Sequence, residues 1–320
     1  MKRLRLRIAR ALAEVMSLAV LVTACGAQDS AAIPLRVAVL PILDSLPLYV
    51  AQEEGFFADE GLNVELVPAG AAAERDQLLQ AQQADGAISD LVAIALANRE
   101  DRQLAAVRYA MSATPQYAQF RILAAGSSKI ATVQDLRGVP IGVSEGTIIE
   151  YVTDRLLREE GLSADDTALL GVPRIPDRVA LLASGQLQAA TLPEPLASLA
   201  LQQGARLIVE DSSHPALSCS VYAFRSEVLD TRGDEVRRFI RAVDRATAAI
   251  NGDKTRWMGL LSEQSLIPSA LQTTYALPDY PGPALPSEAQ YADVTLWLAE
   301  TGLLDAAASY AVSVDGAFLD

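Results

Sequence analysis

From Pro34 onward, two kinds of hydrophobic pattern take turns along the chain. Short apolar runs are followed by longer stretches in which apolar positions recur every three or four residues. The first pattern predicts buried strands and the second amphipathic helices, so their alternation predicts an α/β fold with largely parallel sheets. Residues 35–40 predict a first strand that Pro41 ends, and 48–54 a helix that stops at Gly55. Strands at 63–67, 86–88 and 105–108 follow, with helices at 72–83 and 91–98 between them. Residues 117–124 predict a longer strand that crosses from one lobe to another.

The pattern then restarts. A strand at 139–143 and a helix at 148–159 lead into strands at 167–172, 188–192 and 206–209, and a strand at 219–224 is placed to return to the first lobe. Amphipathic helices at 236–250 and 288–300 follow, and the prolines and glycine of 277–283 mark a surface loop. The restart carries a faint echo. Leu78-Leu79 precedes Asp85-Gly86-Ala87-Ile88-Ser89-Asp90 at the distance by which Leu181-Leu182 precedes Gln188-Ala189-Ala190-Thr191-Leu192-Pro193. Two lobes of like βα construction account for this, and so do two similar units within one large domain.

Residues 1–33 follow neither pattern. Lys2, Arg3, Arg5, Arg7 and Arg10 make a basic start, and residues 15–24 form an apolar run that ends in Val22-Thr23-Ala24 before Cys25. That run is too short to span a bilayer, which takes roughly 20 apolar residues. The order reads as a lipoprotein signal over 1–24, with the Cys25 thiol lipidated and 25–33 a short tether. An ordinary secretory signal and a transmembrane anchor are the alternatives.

Composition then narrows the partners. The net charge is -14. Loss of the signal leaves 21 basic against 39 acidic residues, or about -18, a field that repels nucleic acid and anionic lipid headgroups. Neither is expected as a partner, and membrane attachment is expected through the lipid alone. Cys219 is then the only cysteine left, which excludes an internal disulfide and suits a small buried hydrophobe. A single histidine, His214, makes a histidine metal site or a Ser-His-Asp triad hard to build, and it suits a surface loop. No metal or cofactor is expected, and no second long apolar run suggests a permease on the same chain.

In parallel sheets, ligands sit beyond the carboxyl ends of strands, near helix N-termini. That rule nominates Asp44 and Ser45 after the first strand, Gly70 after the second, Ser89 and Asp90 after the third, and Arg108 and Tyr109 at the fourth. In the second half it nominates Glu145, Gly146 and Thr147, then Glu194, whose backbone Pro193 and Pro195 would fix. Asp44, Ser45, Ser89, Asp90 and Thr147 are equally good helix caps. Arg108 is either a cleft cation or the partner of an acid. Tyr109, Tyr117 and Tyr151 are placed for an aromatic wall, with Tyr49 on a helix as a further candidate.

Several segments resemble a known family. Leu46-Pro47-Leu48-Tyr49-Val50-Ala51-Gln52-Glu53-Glu54-Gly55-Phe56-Phe57, followed by Glu60-Gly61-Leu62-Asn63-Val64-Glu65, resembles the opening of periplasmic solute-binding proteins for nitrate, sulfonates, taurine and thiamine-pyrimidine precursors. Residues 132–143, 192–196 and 297–304 look like later parts of the same proteins, although Gln188 stands where they usually carry an aspartate. The resemblance implies a two-lobed Venus-flytrap fold with two crossing hinge strands. One lobe would be 34–118 plus 223–320 and the other 119–222. It also implies a monomeric binder without catalytic chemistry, which closes on a small solute and docks on an ABC permease and its ATPase. The tyrosines and the acids on the rim favour a neutral or weakly basic heteroaromatic, such as a thiamine-pyrimidine precursor or riboflavin. The alternative is a small oxyanion (a sulfonate, taurine or nitrate) held by helix-start amides at Gly146 and Thr147 and by the charge of Arg108 or Arg178. An enzyme of pyrimidine or menaquinone precursor synthesis on the same fold is a third reading, and the export signal argues against it.

Overall fold

The computed structural model describes residues 33–319; Cys25 and the expected signal and tether up to residue 32 lie outside the described residues. Among the described residues, ten strands form two five-stranded sheets. The strands are β1 (Leu35–Val39), β2 (Val64–Pro68), β3 (Gly86–Ser89), β4 (Leu104–Ser112), β5 (Phe120–Ala124), β6 (Pro140–Val143), β7 (Ala168–Gly171), β8 (Ala189–Pro193), β9 (Arg206–Glu210) and β10 (Cys219–Arg225). Sheet order is β2-β1-β3-β10-β4 in one and β7-β6-β8-β5-β9 in the other.

The two sheets are built alike. In each, three strands run parallel (β2, β1, β3 and β7, β6, β8), then one antiparallel strand is inserted before the edge (β10 and β5). The inserted strand in each sheet follows a crossing from the other. The echo noted in the sequence falls on equivalent places in the two sheets, the approaches to β3 and β8. The expectation of largely parallel sheets is corrected here: both sheets are mixed. A strand buried on both faces is apolar whichever way it runs, so its pattern carries no direction. Strand β10 lies in the first sheet, and the expected lobe boundary at 222/223 falls inside it.

The helices are α1 (Leu46–Glu53), α2 (Phe56–Asp59), α3 (Ala72–Gln80), α4 (Leu91–Ala97), α5 (Ile148–Glu159), α6 (Ile175–Ala183), α7 (Leu196–Gln202), α8 (Ser226–Thr231), α9 (Gly233–Gly252), α10 (Met258–Glu263), α11 (Glu288–Glu300) and α12 (Tyr310–Ser313). None of them is long and apolar enough to cross a membrane. Helix α9 presents Val236, Phe239, Ile240, Val243 and Ala246 to the first sheet, a spacing of three and four that makes one apolar stripe. Phe239 is its centre. It stacks on Phe57 at 5.4 Å and meets Phe224 and Tyr222 edge-on at 5.3 and 5.9 Å. A second core runs from the other face of that sheet through α4, α5 and α11 to the second sheet, with Trp297 and Tyr151 fully buried in it.

Gly86 opens the central strand β3 because nothing larger fits. A Cβ there would run into the Phe224 ring and stand 2.9 Å from the Ala223 carbonyl oxygen on β10. Gly86→Ala is therefore expected to lower stability by about 1–3 kcal/mol, read as a lower midpoint in urea unfolding with an unchanged slope.

Two short segments, 113–119 and 211–218, carry the chain between the sheets, and one side chain holds them together. Asp211, fully buried, accepts hydrogen bonds from the backbone amides of Gln119 (2.8 Å) and Phe120 (3.0 Å) and from the Ser218 hydroxyl. Burial pushes its carboxyl up to about 6, against the pull of those three donors. The predicted strand 117–124 is strand only from Phe120: the Tyr117 amide turns back to the Thr114 carbonyl and the Gln119 amide bonds to Asp211, so neither pairs with a neighbouring strand.

Candidate functional site

A cavity opens beside the first crossing, between the second sheet and the segment that follows α10. This cavity of 490 Å³ is bounded by Gln116 and Tyr117 of the first crossing, Arg121 of β5, Glu194 just before α7 with Ser198 and Gln202 on it, and Leu271, Thr274, Tyr275 and Ala276 from the segment after α10. Of the nominated residues, Glu194 lies here. It is buried, and the Arg121 guanidinium contacts its carboxylate. Arg121 also reaches Glu210 through Nε at 2.7 Å. Tyr117, placed in the aromatic wall from the sequence, lines the same cavity.

Asp44 sits deeper. It is 6 % exposed, takes a hydrogen bond from the Ser220 hydroxyl, and has the Gln119 side-chain amide at 3.4 Å. Burial raises its pKa although those donors oppose the shift. The buried phenol of Tyr280 donates to the Leu43 carbonyl at 2.8 Å, and burial together with the nearby Asp44 charge pushes it well above the usual tyrosine range. The segment 277–283 is thus not a plain surface loop: its backbone is irregular, but Leu277 and Tyr280 are buried. Ser45 is fully buried and donates to the Leu40 carbonyl at 2.7 Å, which closes the turn after β1.

Asp90 does cap α4, accepting from the Ala93 amide at 2.9 Å, and it has Arg75 at 3.4 Å. Ser89 is buried beside it. Gly70 donates its amide to Glu74 at 2.6 Å, and Gly146 donates its amide to Glu150 at 2.5 Å. In both βα turns a carboxylate from the first turn of the following helix occupies the glycine amide. Burial raises the pKa of Glu150 against that bond. Thr147 caps α5, accepting from the Ile149 amide at 3.2 Å, and Glu145 beside it is exposed.

Four nominations are corrected. Arg108 is not a cleft cation: it is 1 % exposed, with Nε at 2.7 Å from Asp244 of α9 and Nη2 donating to the Pro281 carbonyl. Tyr109 donates to Gln290 at 2.7 Å, and Tyr151 donates to Asp293 at 2.6 Å while its ring meets Trp297 edge-on. Both belong to the packing of α11. Tyr49 lines a separate surface hollow with Asn63, Glu65 and Gln264. The sequence missed Tyr275 and Thr274, which lie in an irregular stretch, and Arg121, whose strand reads only as buried; no local signal marks any of them. His214 lies in a turn with its ring partly exposed, and Cys219 is 4 % exposed in β10. Among the described residues no cluster of three metal-ligating side chains forms.

Solved structures share this fold. The chain is similar to the periplasmic aliphatic sulphonate binding protein SsuA from Escherichia coli, with TM-score 0.75, 18% identity, and coverage of 88% of this chain and 92% of that one. It is similar to the ligand-binding component of an ABC-type import system from Staphylococcus aureus, with zinc bound (TM-score 0.73, 15% identity, 89% and 97% coverage). It is also similar to the alkanesulfonate-binding protein SsuA from Xanthomonas axonopodis pv. citri, bound to MOPS (TM-score 0.71, 20% identity, 85% and 93% coverage). At such identities the likeness establishes the fold, which is that of the periplasmic binding proteins. Among curated proteins no sequence matches. The family model described as NMT1/THI5 like matches residues 43–253. With well over half of its length matched, the chain belongs to the NMT1/THI5-like family and resembles the solute-binding proteins of ABC importers.

Proposed function

We propose that this protein is an extracytoplasmic solute-binding protein that captures a small oxyanion, a sulfonate by preference, and delivers it to an ABC permease and its ATPase. The observation that carries the ligand class is the state of the acids on the rim. They argued for a neutral or weakly basic heteroaromatic solute as long as they stood uncompensated. Glu194 is met by Arg121 and Asp90 by Arg75, and burial holds Asp44 toward its neutral form. What faces the 490 Å³ cavity is a set of hydroxyls and side-chain amides around the Arg121–Glu194 pair, and those hydroxyls and amides suit an anion with several acceptor oxygens. The aromatic wall that favoured a planar ring loses Tyr109 and Tyr151 to the packing of α11. The relatives of the same fold that bind aliphatic sulfonates support this choice.

In this reading the two sheets belong to two lobes that close about the crossings at 113–119 and 211–218. Closure follows because the solute contacts both lobes only in the closed state. Lipid on Cys25 tethers the protein to the membrane. No covalent chemistry is asked of the chain.

A thermal-shift panel of ethanesulfonate, taurine, nitrate, sulfate, riboflavin and an aminopyrimidine tests the ligand class. A sulfonate at about 100 times its Kd is expected to raise Tm by about 5 °C. A response to riboflavin or the aminopyrimidine with none to the anions would overturn the reading.

A further inference from the structure

Four arginines are buried in the described part of the chain: Arg75, Arg108, Arg155 and Arg178. Three have carboxylates against them. Arg75 has Asp76 and Asp90, Arg108 has Asp244, and Arg155 has Asp293 and Glu300. Arg178, on α6, is fully buried and has none. Its Nη1 donates to the Ser144 hydroxyl and to the Val172 carbonyl, both at 2.7 Å, while Nε and Nη2 have no hydrogen-bond partner. Burial alone acts on it, pulling its pKa down to about 10, so it keeps its charge at neutral pH.

An uncompensated charge in the interior is costly, and such charges are as a rule paired. The place of this one gives it a use. Ser144 and Val172 are the residues that follow β6 and β7, at the carboxyl ends of parallel strands where ligands of open sheets sit. Ser144 is tied into the turn that opens α5: its carbonyl accepts from the Thr147 hydroxyl at 2.7 Å, and its own hydroxyl donates to the Pro173 carbonyl at 3.0 Å. Helix α5 is twelve residues long, so its N-terminal partial charge falls on the same turn. Two positive sources of independent origin therefore coincide beneath residues 144–147. The Glu150 carboxylate, already seated on the Gly146 amide, shows that the turn accepts an anionic oxygen.

We propose that Arg178 is a positioning residue that sets the charge preference of the second lobe: from beneath Ser144 it supplies the fixed positive charge that an anionic solute neutralises on binding, without touching the solute. The proposal rests on the oxyanion reading above and concerns the turn at 144–147, where Gly146 and Thr147 line a hollow with Arg75 and Asp90 that is separate from the Arg121 cavity. It also gives a protein whose net charge is about -18 after loss of the signal a local positive source for an anion, set against Glu145 and Glu150 at the same turn.

The test compares ethanesulfonate with its neutral sulfonamide by calorimetry, on the wild type, Arg178→Met, Arg178→Gln and Arg178→Lys. For Arg178→Met and Arg178→Gln, affinity for the sulfonate is expected to fall by about 30-fold while affinity for the sulfonamide changes by less than about 3-fold. Arg178→Lys is expected to retain most of the sulfonate affinity. Loss of the uncompensated charge is also expected to leave the Tm of Arg178→Met at or above that of the wild type. Should Arg178→Met not fold, Arg178→Gln, which keeps a donor for Ser144 and no charge, reads the same difference. Equal loss for both probes, or none for either, overturns the proposal and leaves the oxyanion reading standing. A wild type that binds no anion overturns both.

Discussion

Asp211→Ala is expected to cost about 4 kcal/mol at neutral pH, from leaving two buried backbone donors and a buried hydroxyl without an acceptor. The amides of Gln119 and Phe120 have Asp211 in place of a strand partner, and Ser218 bonds to it from the other crossing. The pH dependence carries the sign of a carboxylate whose pKa burial has raised. Its folded pKa of about 6 lies above the ordinary value of 3.8, so the folded state holds the proton more tightly than the unfolded one. The stability this contributes is full below about pH 4 and is lost as pH rises through about 6, a swing of about 3 kcal/mol. The deficit of Asp211→Ala relative to wild type should therefore grow as pH falls from 7 to 4. Once Asp211 is protonated, one of its oxygens becomes a donor, and the Ser218 hydroxyl can turn to accept it. Urea unfolding of both proteins at pH 4, 5.5 and 7 makes the comparison. A deficit that shrinks in acid would refute this account of the crossing. Asp211→Asn keeps one acceptor and turns an amide toward the second donor, so its cost should fall between wild type and alanine.

The parts of this molecule that were legible in the sequence are those set by local rules. Helices 148–159 and 288–300 show their apolar stripe, and Thr147 was named as a cap where it does cap the first. The restart at 139–143 marked a second sheet, because a βα unit has the same short-run and long-stripe pattern wherever it occurs. What was not legible depends on residues far apart in the chain. Nothing near Tyr151 announces Asp293, and nothing near Arg108 announces Asp244. An aromatic or a cation after a strand reads the same whether it faces a ligand or a later helix. Burial of charge was likewise invisible. Four acids counted along the rim suggested a neutral or weakly basic heteroaromatic solute, and the arginines that meet two of them, Asp90 and Glu194, weaken that inference. Tyr275 and Thr274 were missed for a plainer reason: they sit in an irregular stretch whose placement comes only from the packing of the whole C-terminal half against the crossing.

The Arg121–Glu194 pair offers the other large effect, and it separates folding from binding. Glu194 is 4 % exposed, and Arg121 is the cation that contacts it. Removing Arg121 strands a buried carboxylate, so Arg121→Met is expected to cost about 3–5 kcal/mol. Glu210, the other acid on Arg121, is more exposed and can turn to water, so it adds little. Replacing both members with apolar residues of similar size removes the stranded charge. Arg121→Met with Glu194→Leu is expected to recover to within about 1–2 kcal/mol of wild type. The cycle should then show a coupling of about 2–3 kcal/mol, because the two side chains share one buried contact. Binding should not recover with stability. The double variant has a neutral, apolar patch where the cavity had its arginine, so a folded protein with no measurable sulfonate affinity is the expected outcome. Additive losses in the cycle would show that the pair is not coupled as described. A double variant that binds a sulfonate as the wild type does would remove Arg121 from the ligand's surroundings and leave the second-lobe turn as the anion seat.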